Sequence, residues 1–497
     1  MTDGAQRRQV ILFTPLMGYY SRVSRDLPLA LLAISRYLHP EYAVTIVDQK
    51  VPGWQSKLDE ALERGAVCFG TTSTTGRQIH YALEASRYVK ERSDMPVVWG
   101  GIHATMLPRQ TLESPYVDMV LAGQADESFN QLVRCLDNGS SMEGVPGLWR
   151  KCDGRVIEPQ APPQPVDLNS LPLLPYEVLD PEDYRGRSSQ LPGNVFDLEV
   201  GRGCPYRCTF CYNSSYRKGN RQSLSAERII EHIRHLKTWT EVDGISLIDD
   251  NFLLDSRRVL AFIELLKREN LRIKWYCSTD INELKRMDDA TLAGLEEVGL
   301  RIPEIGVESG SPRILKLVNK RLRIEDVLEV NRRLAKFKFT PHYNFLCGFI
   351  WETKAELRQT TSLFLQLLKD NPEATTMTLG VVVPYPGTRY LEMAKEHGFV
   401  MPDRLEGWAF FNFAEWADHC PWLDRRKRKL FKALYVASLF VDRKASLHVP
   451  GRTIFARLVR LFARMYRPIA RWRYRHCFGG LGLDVKLFEL AERFVMK

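Results

Sequence analysis

Three cysteines stand within eight residues in the stretch EVGRGCPYRCTFCYNSSYRKG, which runs from residue 199 to residue 219. Cys204, Cys208 and Cys211 have the spacing Cys-x3-Cys-x2-Cys, and no fourth cysteine follows nearby. Thiolates bind both structural zinc and iron–sulfur clusters, and structural zinc normally takes four Cys or His ligands in two pairs. Three ligands therefore favour an iron–sulfur cluster with one open iron position, while zinc and buried, inert cysteines remain alternatives.

The composition is typical of a globular protein with more than one domain. A chain of 497 residues can form two or three cores, and 44% hydrophobic and 26% charged residues do not indicate disorder. The first apolar run is too short for a signal peptide, and no stretch approaches the roughly 18 apolar residues of a membrane span. We therefore expect a cytoplasmic protein, in which ten cysteines indicate metal or radical chemistry rather than disulfides.

Short apolar strands alternate with amphipathic helices in residues 1–150, which predicts a doubly wound, Rossmann-like parallel sheet. Ligands of such sheets bind outside the carboxyl ends of the strands. Small residues follow three of the predicted strands there. They include Thr72, Ser73, Gly100, Gly101 and Gly123. Small side chains let a large flat ligand approach the backbone, although tight turns alone would also explain the glycines.

The remaining chain divides into three predicted parts. Residues 151–190 include a Pro-rich stretch from Glu158 to Pro175, which predicts an extended linker rather than a packed element. About six apolar strands alternate with helices in residues 191–400, which predicts a partial (β/α)6 barrel with its active site at the carboxyl ends of the strands. The three-cysteine loop directly follows the first of these strands. Residues 401–497 are predicted to form a basic helical region.

The three-cysteine motif, with the aromatic Phe210 inside it, resembles that of the radical S-adenosylmethionine (SAM) superfamily. In that family, three cysteines hold a [4Fe-4S] cluster whose open iron binds SAM, and one electron from the cluster cleaves SAM to a 5′-deoxyadenosyl radical. The resemblance implies that Cys204, Cys208 and Cys211 are the cluster ligands and act in catalysis. It also implies an electron donor such as flavodoxin or ferredoxin.

Three further segments resemble the SAM-binding segments of the same family. They are LIDDNFLLD, IGVESGSPRIL and NFLCGFIWET, which the resemblance places near the amino group, the ribose and the adenine of SAM. The residues implied for SAM binding are Phe210, Asp249, Asp250, Glu308, Ser309, Gly348 and Glu352. Ile350 and Trp351 replace a proline and a glycine of the family's G-x-P-G-E-T turn, which leaves the backbone shape of this turn open. For each carboxylate, a solvated surface position is the alternative.

The segment VVWGGIHATMLPRQTL and the later VDMVLAGQADESFNQLV resemble the cobalamin-binding domain that precedes many radical SAM domains. The resemblance implies cobalamin contacts at Thr72, Ser73, Gly100, Gly101 and Gly123. The segment after the first strand has no cobalt-ligating histidine, so we expect cobalamin bound without a protein imidazole. We expect Lys50 on the surface, and His80 and His103 to be packed or to cap helices. A domain that keeps the fold without cobalamin is the alternative.

A basic helix is predicted near the C-terminus, in FARLVRLFARMYRPIARWRYR. Its predicted apolar face consists of Phe455, Leu458, Val459, Phe462, Met465 and Tyr466, and arginines fill the other side. A basic, aromatic-rich amphipathic helix is typical of peripheral membrane binding, here at the inner face of the membrane, but an ordinary packed helix would have the same pattern. Nucleic acid is not expected as a partner, because no recognised binding module accompanies the charge.

The expected fold class is thus α/β, with a cobalamin-binding Rossmann-like domain, a Pro-rich linker, a partial radical SAM barrel and a helical C-terminal region. The resemblance is to the family that contains the anaerobic magnesium-protoporphyrin monomethyl ester cyclases and the class B radical SAM methyltransferases. We expect a cobalamin-dependent methyltransferase acting on an unactivated carbon of a lipid, isoprenoid or tetrapyrrole-like molecule. A radical SAM cyclase or carbon–carbon bond-forming enzyme is one alternative, and a non-catalytic cobalamin- or SAM-binding protein is another.

Overall fold

The computed structural model describes most of the chain and divides it into two compact units. The described residues are 7–18, 26–163, 165–186, 191–412, 415–442, 454–480, 482 and 484–486. The first unit comprises Met1–Asp197, Glu231–Val242 and Met401–Asn412. The second unit comprises Leu198–Ile230, Asp243–Val400 and Phe413–Lys497.

The first unit is built on one sheet with the strand order β2-β1-β3-β4-β5-β6-β7. Its strands are β1 (Gln9–Thr14), β2 (Ala43–Asp48), β3 (Phe69–Thr72), β4 (Val97–Gly100), β5 (Met119–Leu121), β6 (Leu148–Cys152) and β7 (Arg155–Ile157). β1 to β5 pair in parallel, and β6 and β7 extend the edge in antiparallel fashion. β1 is buried throughout, which explains its uninterrupted apolar core VILF. The chain order around β1 is that of a doubly wound sheet.

Amphipathic helices connect these strands. They are α1 (Leu29–Ser35), α2 (Trp54–Glu63), α3 (Arg77–Lys90), α4 (Gly101–Met106), α5 (Pro108–Glu113) and α6 (Ser128–Asn138). In α3, Ile79, Ala82 and Leu83 fall on one side at helical spacing and are buried. Burial of one side of each helix covers the apolar strands, and the loops after β3, β4 and β5 then lie at one edge of the sheet.

The Pro-rich segment is packed, which corrects the expectation of a free linker. Residues 158–175, of which residue 164 is not described, form no helix or strand in their described part. Leu168, Leu171 and Leu174 are nevertheless buried. His235 Nε2 lies 2.7 Å from the Leu174 carbonyl oxygen. The His235 ring also contacts the ring of Tyr176, which begins the short helical turn Tyr176–Val178. Leucines at three-residue spacing bury their side chains even though the prolines prevent regular structure.

The second unit contains a sheet with the order β15-β14-β13-β12-β11-β8, and β16 also pairs with β14. Its strands are β8 (Val195–Glu199), β11 (Gly244–Ile248), β12 (Lys274–Thr279), β13 (Leu300–Glu308), β14 (His342–Cys347), β15 (Thr375–Thr376) and β16 (Gly380–Val381). A separate ribbon pairs β9 (Gly201–Arg202) with β10 (Gln222–Ser223). The strand pairs β11–β12, β12–β13, β13–β14, β14–β15 and β14–β16 are all parallel. The predicted α/β fold with a partial barrel is confirmed.

Helices follow the strands of this sheet. They are α7 (Asn213–Tyr216), α8 (Ala226–Trp239), α9 (Ser256–Arg268), α10 (Ile281–Arg286), α11 (Asp289–Glu297), α12 (Pro312–Leu317), α13 (Ile324–Leu334), α14 (Lys354–Asp370), α15 (Arg389–Glu396), α16 (Trp416–His419), α17 (Arg425–Val441) and α18 (Ile454–His476). Short 3-10 turns occur at Pro181–Asp183, Phe252–Leu254 and Leu405–Phe410. α14 begins with a reciprocal cap, in which Thr353 and Glu356 each bond the other's backbone N–H.

Helix α18 covers only part of its predicted apolar face. Tyr466 and Tyr474 are buried, and the Tyr474 ring lies 4.9 Å from Phe364 of α14, whereas Phe462 and Met465 are exposed. The side chains of Phe455, Leu458 and Val459 lie outside the described residues. The helix therefore has apolar residues on two sides, and packing decides which of them are covered. Among the described residues, no helix is both long and apolar enough to cross a bilayer.

Candidate cluster and cofactor site

The three-cysteine loop is held in the middle by two distant segments. The Thr209 N–H donates to the Val318 carbonyl just after α12, at 2.9 Å. The Tyr390 N–H at the start of α15 donates to the Thr209 carbonyl, also at 2.9 Å. All three cysteines are free thiols of intermediate burial. The backbone between Cys208 and Cys211 is thus fixed by contacts that leave the sulfur atoms free to bind a metal cluster.

Asp250 braces both ends of the same loop. Its Oδ2 accepts a 2.6 Å hydrogen bond from the Gly203 N–H, before the first cysteine, and its carboxylate also bonds the Asn213 side chain, after the last one. Gly203 has a φ of +90°, and an added Cβ would lie 2.1 Å from the Asn220 carbonyl oxygen, so only glycine fits here. Asp250 therefore lies at the cluster loop, and its assignment to SAM stays a prediction.

The thiols are weakly acidic before any metal is bound. Burial raises the pKa of Cys208 to about 11, against an opposing effect of Lys320, and raises the pKa of Cys211 to about 12. A cluster would replace these protons, because metal binding to thiols releases them. In the described part of the chain, no three His, Cys, Asp or Glu side chains gather closely enough to hold a single metal ion. Three free thiols on one fixed loop are nevertheless the donor set that a [4Fe-4S] cluster requires.

Asp249 is part of a buried ion-pair network. Its carboxylate accepts from Arg258 Nη2 at 2.8 Å, from Arg221 Nη2 at 3.2 Å and from the Asn251 N–H at 2.9 Å. A Cβ at Gly201 would lie 2.2 Å from Asp249 Oδ2, so this glycine makes room for the carboxylate. Two guanidinium groups balance the charge of Asp249. This residue, directly after β11, thereby connects β11 to the ribbon of β9 and β10. Its predicted role toward SAM is not tested by these contacts.

Glu308 ends β13 beside a buried cation that the sequence analysis missed. Lys320 Nζ donates to Asp280 Oδ2 at 2.9 Å. Burial opposes the charged ammonium, but Asp280 and Glu308 outweigh it and raise the pKa of Lys320. Burial raises the pKa of Cys208 and of Glu308, and Lys320 opposes both rises, so this lysine interacts with the cluster loop and with a predicted SAM ligand. No motif marks Lys320 or Asp280, so nothing in the local sequence could have identified them.

Ser309 is inside the protein rather than on an open surface. Its hydroxyl lies 3.2 Å from Thr360 Oγ1 of α14 and also accepts from the Ser311 N–H. An added Cβ at Gly310 would come within 2.5 Å of the Gln359 carbonyl oxygen, which explains the glycine in the ESGS stretch. The segment after β13 is therefore packed tightly against α14, and this packing holds the end of β13 in place.

The turn after β14 is closed by Glu352. Glu352 Oε2 accepts from the Gly348 N–H at 2.6 Å, and Gly348 has a φ of +73°. Glu352 Oε1 is buried and has no hydrogen-bond partner among the described residues. The Trp422 indole donates to the Gly348 carbonyl at 2.8 Å. Gly348 and Glu352 are thus neighbours, as the motif predicts, and Glu352 acts on the turn itself.

Phe210 packs in one hydrophobic cluster with Ile350 and Trp351, the two residues that differ from the family turn. Phe210 contacts Phe349 at a ring distance of 6.4 Å, and Ile350 and Trp351 pack against the same cluster. The Ile350 N–H donates to the Tyr390 hydroxyl at 3.1 Å, and Tyr390 is the residue whose backbone holds Thr209. The backbone of the turn is therefore connected to the cysteine loop through Tyr390, although the usual proline is missing.

We predict that Glu352→Gln makes the stability of the protein less dependent on pH. Burial raises the pKa of Glu352 to about 8, so the folded state favours the neutral acid. The stability that it contributes is fully present below the unfolded pKa of about 4.3 and is lost as the pH rises through 8. As the pH rises from about 6 to about 9, the melting temperature of the metal-free wild type should fall. The melting temperature of Glu352→Gln should change less over the same range.

Glu356→Gln is the matched control for this measurement. The Arg313 hydrogen bond lowers the pKa of Glu356 to about 2, so Glu356 is ionised throughout that range. Its replacement should change the melting temperature and leave most of the slope against pH, because burial, rather than the charge of Glu356, is the largest cause of the raised pKa of Glu352. Equal slopes for the wild type and Glu352→Gln would contradict the buried, raised pKa of Glu352.

The predicted cobalamin residues lie on neighbouring loops of the first unit. The Ser73 N–H donates to the Gly100 carbonyl at 3.0 Å, and an added Cβ at Gly101 would meet Thr72 Oγ1 and the Ser73 carbonyl oxygen at 2.6 Å. Ser73 Oγ is buried and has no partner among the described residues. Thr72, Ser73, Gly100 and Gly101 are therefore brought together, and an orphaned hydroxyl at this place fits a polar ligand atom.

Gly123 is covered by the chain itself. An added Cβ at Gly123 would lie 2.2 Å from Cγ of Pro163, in the packed Pro-rich segment. The Gly123 N–H donates to Thr105 Oγ1 of α4 at 2.9 Å. The close approach at this glycine is thus made by a proline of the same unit, and its assignment to cobalamin stays a prediction.

His103 is packed, as expected, whereas His80 lies on the surface. His103 is fully buried, its Nδ1 lies 3.0 Å from Thr75 Oγ1, and burial lowers its pKa to about 3. His80 is exposed and lies 3.3 Å from Glu84 on the next turn of α3. Lys50 is a correction, because its side chain is only 11% exposed and its ammonium lies 3.5 Å from Asp48 Oδ2. Its neighbour Asp48 is buried at the end of β2, which draws the lysine inward.

Two family profiles match the chain. The profile of the radical SAM superfamily matches residues 198–364. The profile of the B12 binding domain matches residues 24–133. The first range contains the cysteine loop and the segments after β11 and β13, and the second contains the loops after β3, β4 and β5.

Similar proteins include methyltransferases and cyclases. An uncharacterized methyltransferase of Pyrococcus horikoshii is 29% identical over 376 residues, which cover 74% of this chain and 78% of that protein. An anaerobic magnesium-protoporphyrin IX monomethyl ester cyclase of Rubrivivax gelatinosus is 26% identical over 290 residues, which cover 57% of this chain and 51% of the cyclase. The match thus spans about half of the cyclase's length.

A solved structure has the same fold. The cobalamin-dependent SAM radical enzyme OxsB with aqua-cobalamin bound has a TM-score of 0.73 at 17% sequence identity, covering 99% of this chain and 75% of that chain.

The comparisons confirm the enzyme class and the cofactors predicted from sequence, namely a [4Fe-4S] cluster, SAM and cobalamin. They also agree with methyl transfer as the main interpretation. The chain is therefore an enzyme in which a B12-binding domain in residues 24–133 precedes a radical SAM domain in residues 198–364.

Proposed function

We propose that this enzyme transfers a methyl group to an unactivated carbon of a lipid, isoprenoid or tetrapyrrole-like molecule. The observation that carries the proposal is the presence of a B12-binding domain and a braced three-cysteine loop in one chain. When bound, the cluster supplies the electron that cleaves SAM, and cobalamin supplies a carrier for the methyl group. The Rubrivivax relative is named for a tetrapyrrole substrate, which supports that substrate class for this chain.

In this proposal the residues of the chain bind and orient. Cys204, Cys208 and Cys211 hold the cluster, and Asp250 and Thr209 keep their loop in shape. The residues that we assign to SAM remain Phe210, Asp249, Asp250, Glu308, Ser309, Gly348 and Glu352. Those that we assign to cobalamin remain Thr72, Ser73, Gly100, Gly101 and Gly123. We also keep the domain division at residues 1–150, 151–190, 191–400 and 401–497.

Glu308 is the carboxylate best suited to accept hydrogen bonds from a ribose. It stands at the end of β13 with a φ of +69°, a conformation that non-glycine residues adopt only where the surroundings impose it. Burial raises the pKa of Glu308 above its ordinary value, and the neighbouring Lys320 opposes this rise without cancelling it. Such residues cluster at functional sites, and this supports a ligand-binding role for Glu308.

The test is product analysis after anaerobic reconstitution with iron, sulfide and cobalamin. We expect protein incubated with SAM carrying a deuterated methyl group, a reductant and candidate lipids, isoprenoids or tetrapyrroles to give a product with a labelled methyl. A product that has lost hydrogen and gained no label would favour the cyclase alternative. A reduced, cluster-loaded protein that forms no 5′-deoxyadenosine with any candidate would favour the non-catalytic alternative.

We further propose that α18 contacts an anionic membrane from the cytoplasmic side, where an apolar substrate would be available. A stripe of exposed apolar residues follows the helix, and its members are Leu461, Met465, Ile469 and Trp472, with exposed fractions of 54%, 70%, 51% and 49%. Exposed arginines at positions 457, 464 and 475 flank this stripe, and α18 contains no acidic residue. Each positive charge near an anionic surface contributes about 1 kcal/mol.

We predict that Met465→Glu with Trp472→Glu removes binding to vesicles. Both substitutions place a carboxylate in the apolar stripe, so co-sedimentation with phosphatidylglycerol vesicles should weaken by roughly tenfold or more. Leu260→Glu is the matched control, because Leu260 is 47% exposed on α9 and carries the same change outside α18. If the wild type does not sediment with these vesicles, the membrane proposal fails while the methyltransferase proposal stands.

A further inference from the structure

Exposed basic side chains surround the cysteine loop on the surface of the second unit. Arg207 lies inside the loop, between Cys204 and Cys208, and is exposed. Lys316 and Arg321 are exposed on the segment 316–321, which lies beside the loop. Lys218 is exposed on the segment after α7. We call Arg207, Lys218, Lys316 and Arg321 the cluster-loop basic surface.

Contacts on both sides attach these residues to the loop. The Asn319 side chain donates to the Arg207 carbonyl at 2.7 Å, next to the bond between Thr209 and Val318, so the segment 316–321 runs along the loop. On the other side, a Cβ at Gly219 would lie 4.0 Å from Arg207 Nε, and Arg217 packs against Gly203. The basic residues are therefore held around the loop by specific contacts.

The charges of this surface are not neutralised by the protein. Within the described ranges, none of Arg207, Lys218, Lys316 and Arg321 forms a salt bridge, whereas the nearby buried Lys320 is paired with Asp280. The acidic groups that contact the loop form hydrogen bonds with other residues of the loop. Asp250 accepts from the Gly203 N–H, and Glu283 accepts from the Tyr206 hydroxyl. Four exposed cations thus face solvent around a loop whose thiols hold the redox centre.

We propose that the cluster-loop basic surface is the docking site of an acidic one-electron donor protein. The inference rests on the proposed function, because only an enzyme with a cluster in this loop needs such a donor. One electron passes from the reduced donor to the cluster, the donor is oxidised by one electron, and no bond forms or breaks in this step. Electron transfer falls steeply with distance, so a donor must approach the loop itself.

The chemistry of the surface fits this partner better than an obligate subunit. Transient redox complexes bury small interfaces and depend on complementary charge to steer the encounter. The exposed residues of this surface are mainly charged, and the apolar Pro205 is exposed close to Arg207. Such a composition suits a weak, salt-sensitive contact. A second copy of this chain, with its net charge of +10, would be repelled by the same side chains.

The test is the charge reversal Lys316→Glu with Arg321→Glu, measured against a flavodoxin of negative net charge. Both residues lie outside the cysteine motif. We expect the Kd of the flavodoxin, measured at low salt with the cluster-free protein, to rise about tenfold or more, and the salt dependence of binding to decrease. In the reconstituted enzyme, cluster reduction by reduced flavodoxin should slow to a similar degree, while reduction by dithionite should keep its wild-type rate.

Lys336→Glu with Lys338→Glu is the matched control. These lysines are exposed and precede β14, at the amino ends of the strands, whereas the cysteine loop follows the carboxyl end of β8. This variant has the same net charge as the test variant and should bind flavodoxin like the wild type. Equal flavodoxin binding by both variants and the wild type would overturn the proposal, as would a loss of vesicle binding in the test variant without a loss of flavodoxin binding. Failure of dithionite to yield 5′-deoxyadenosine would instead count against the proposed function.

Discussion

Cys208→Ala should abolish the cleavage of SAM to 5′-deoxyadenosine and leave cobalamin binding unchanged. Two thiolates cannot hold a cluster that needs three, and the remaining contacts of the loop supply no replacement ligand. The loop itself should persist, because Thr209 and Asp250 hold it through backbone bonds that do not involve the Cys208 side chain. Iron content, the visible spectrum of the reconstituted protein and 5′-deoxyadenosine measured by chromatography report the result.

Cys135→Ala serves as the control for this variant. Cys135 is a partly buried free thiol of α6, in the first unit, and no motif includes it. We expect it to keep the iron content and SAM cleavage of the wild type. Full cleavage by Cys208→Ala would contradict the assignment of the cluster ligands, and loss of cobalamin from Cys208→Ala would indicate general misfolding.

Lys320→Met should destabilise the radical SAM domain more than any comparable surface change. The substitution leaves Asp280 and Glu308 buried without their shared cation, and removing one partner of a buried ion pair costs about 3 to 5 kcal/mol. Denaturant unfolding of the cluster-free protein, followed by circular dichroism, should show an earlier transition. The thiols should also become harder to ionise, because Lys320 lowers the pKa of Cys208.

A second substitution separates the ion pair from general packing. Asp280→Asn in the Lys320→Met background removes one of the two stranded carboxylates, so it should recover part of the lost stability. Lys285→Met is the matched control, because Lys285 is 43% exposed in its pair with Asp326 and such pairs contribute about 1 kcal/mol or less. If Lys320→Met unfolds no earlier than Lys285→Met, the buried network does not stabilise the domain.

Much of the candidate site could be read from local sequence. The three cysteines predicted to hold the cluster, Cys204, Cys208 and Cys211, lie a few positions apart, so their spacing is visible without a fold. The closing of the turn by Gly348 and Glu352 is likewise a contact between residues four positions apart. Strand positions follow from apolar runs, because a strand buried on both sides has no polar residues in its middle.

Other parts were not accessible in this way. Lys320 carries no motif, and its pairing with Asp280 joins positions 40 residues apart. Asp249 was assigned to SAM from its place in a motif, but its oxygens are bound by Arg221 and Arg258. In each case the neighbour that decides the role of the side chain comes from a different element.

The sequence by itself determined the spacing of the three cysteines, the order of the two α/β domains and the enzyme class, because short-range spacing and strand periodicity are local properties of the chain. Only the tertiary structure decided which carboxylates are free, which lysine lies beside the cluster loop and which face of α18 is covered. These depend on burial and on contacts such as that of Asn319 with Arg207, 112 positions apart. Burial makes an unpaired charge costly, so the fold selects the partner of each charge, and a linear pattern does not specify it.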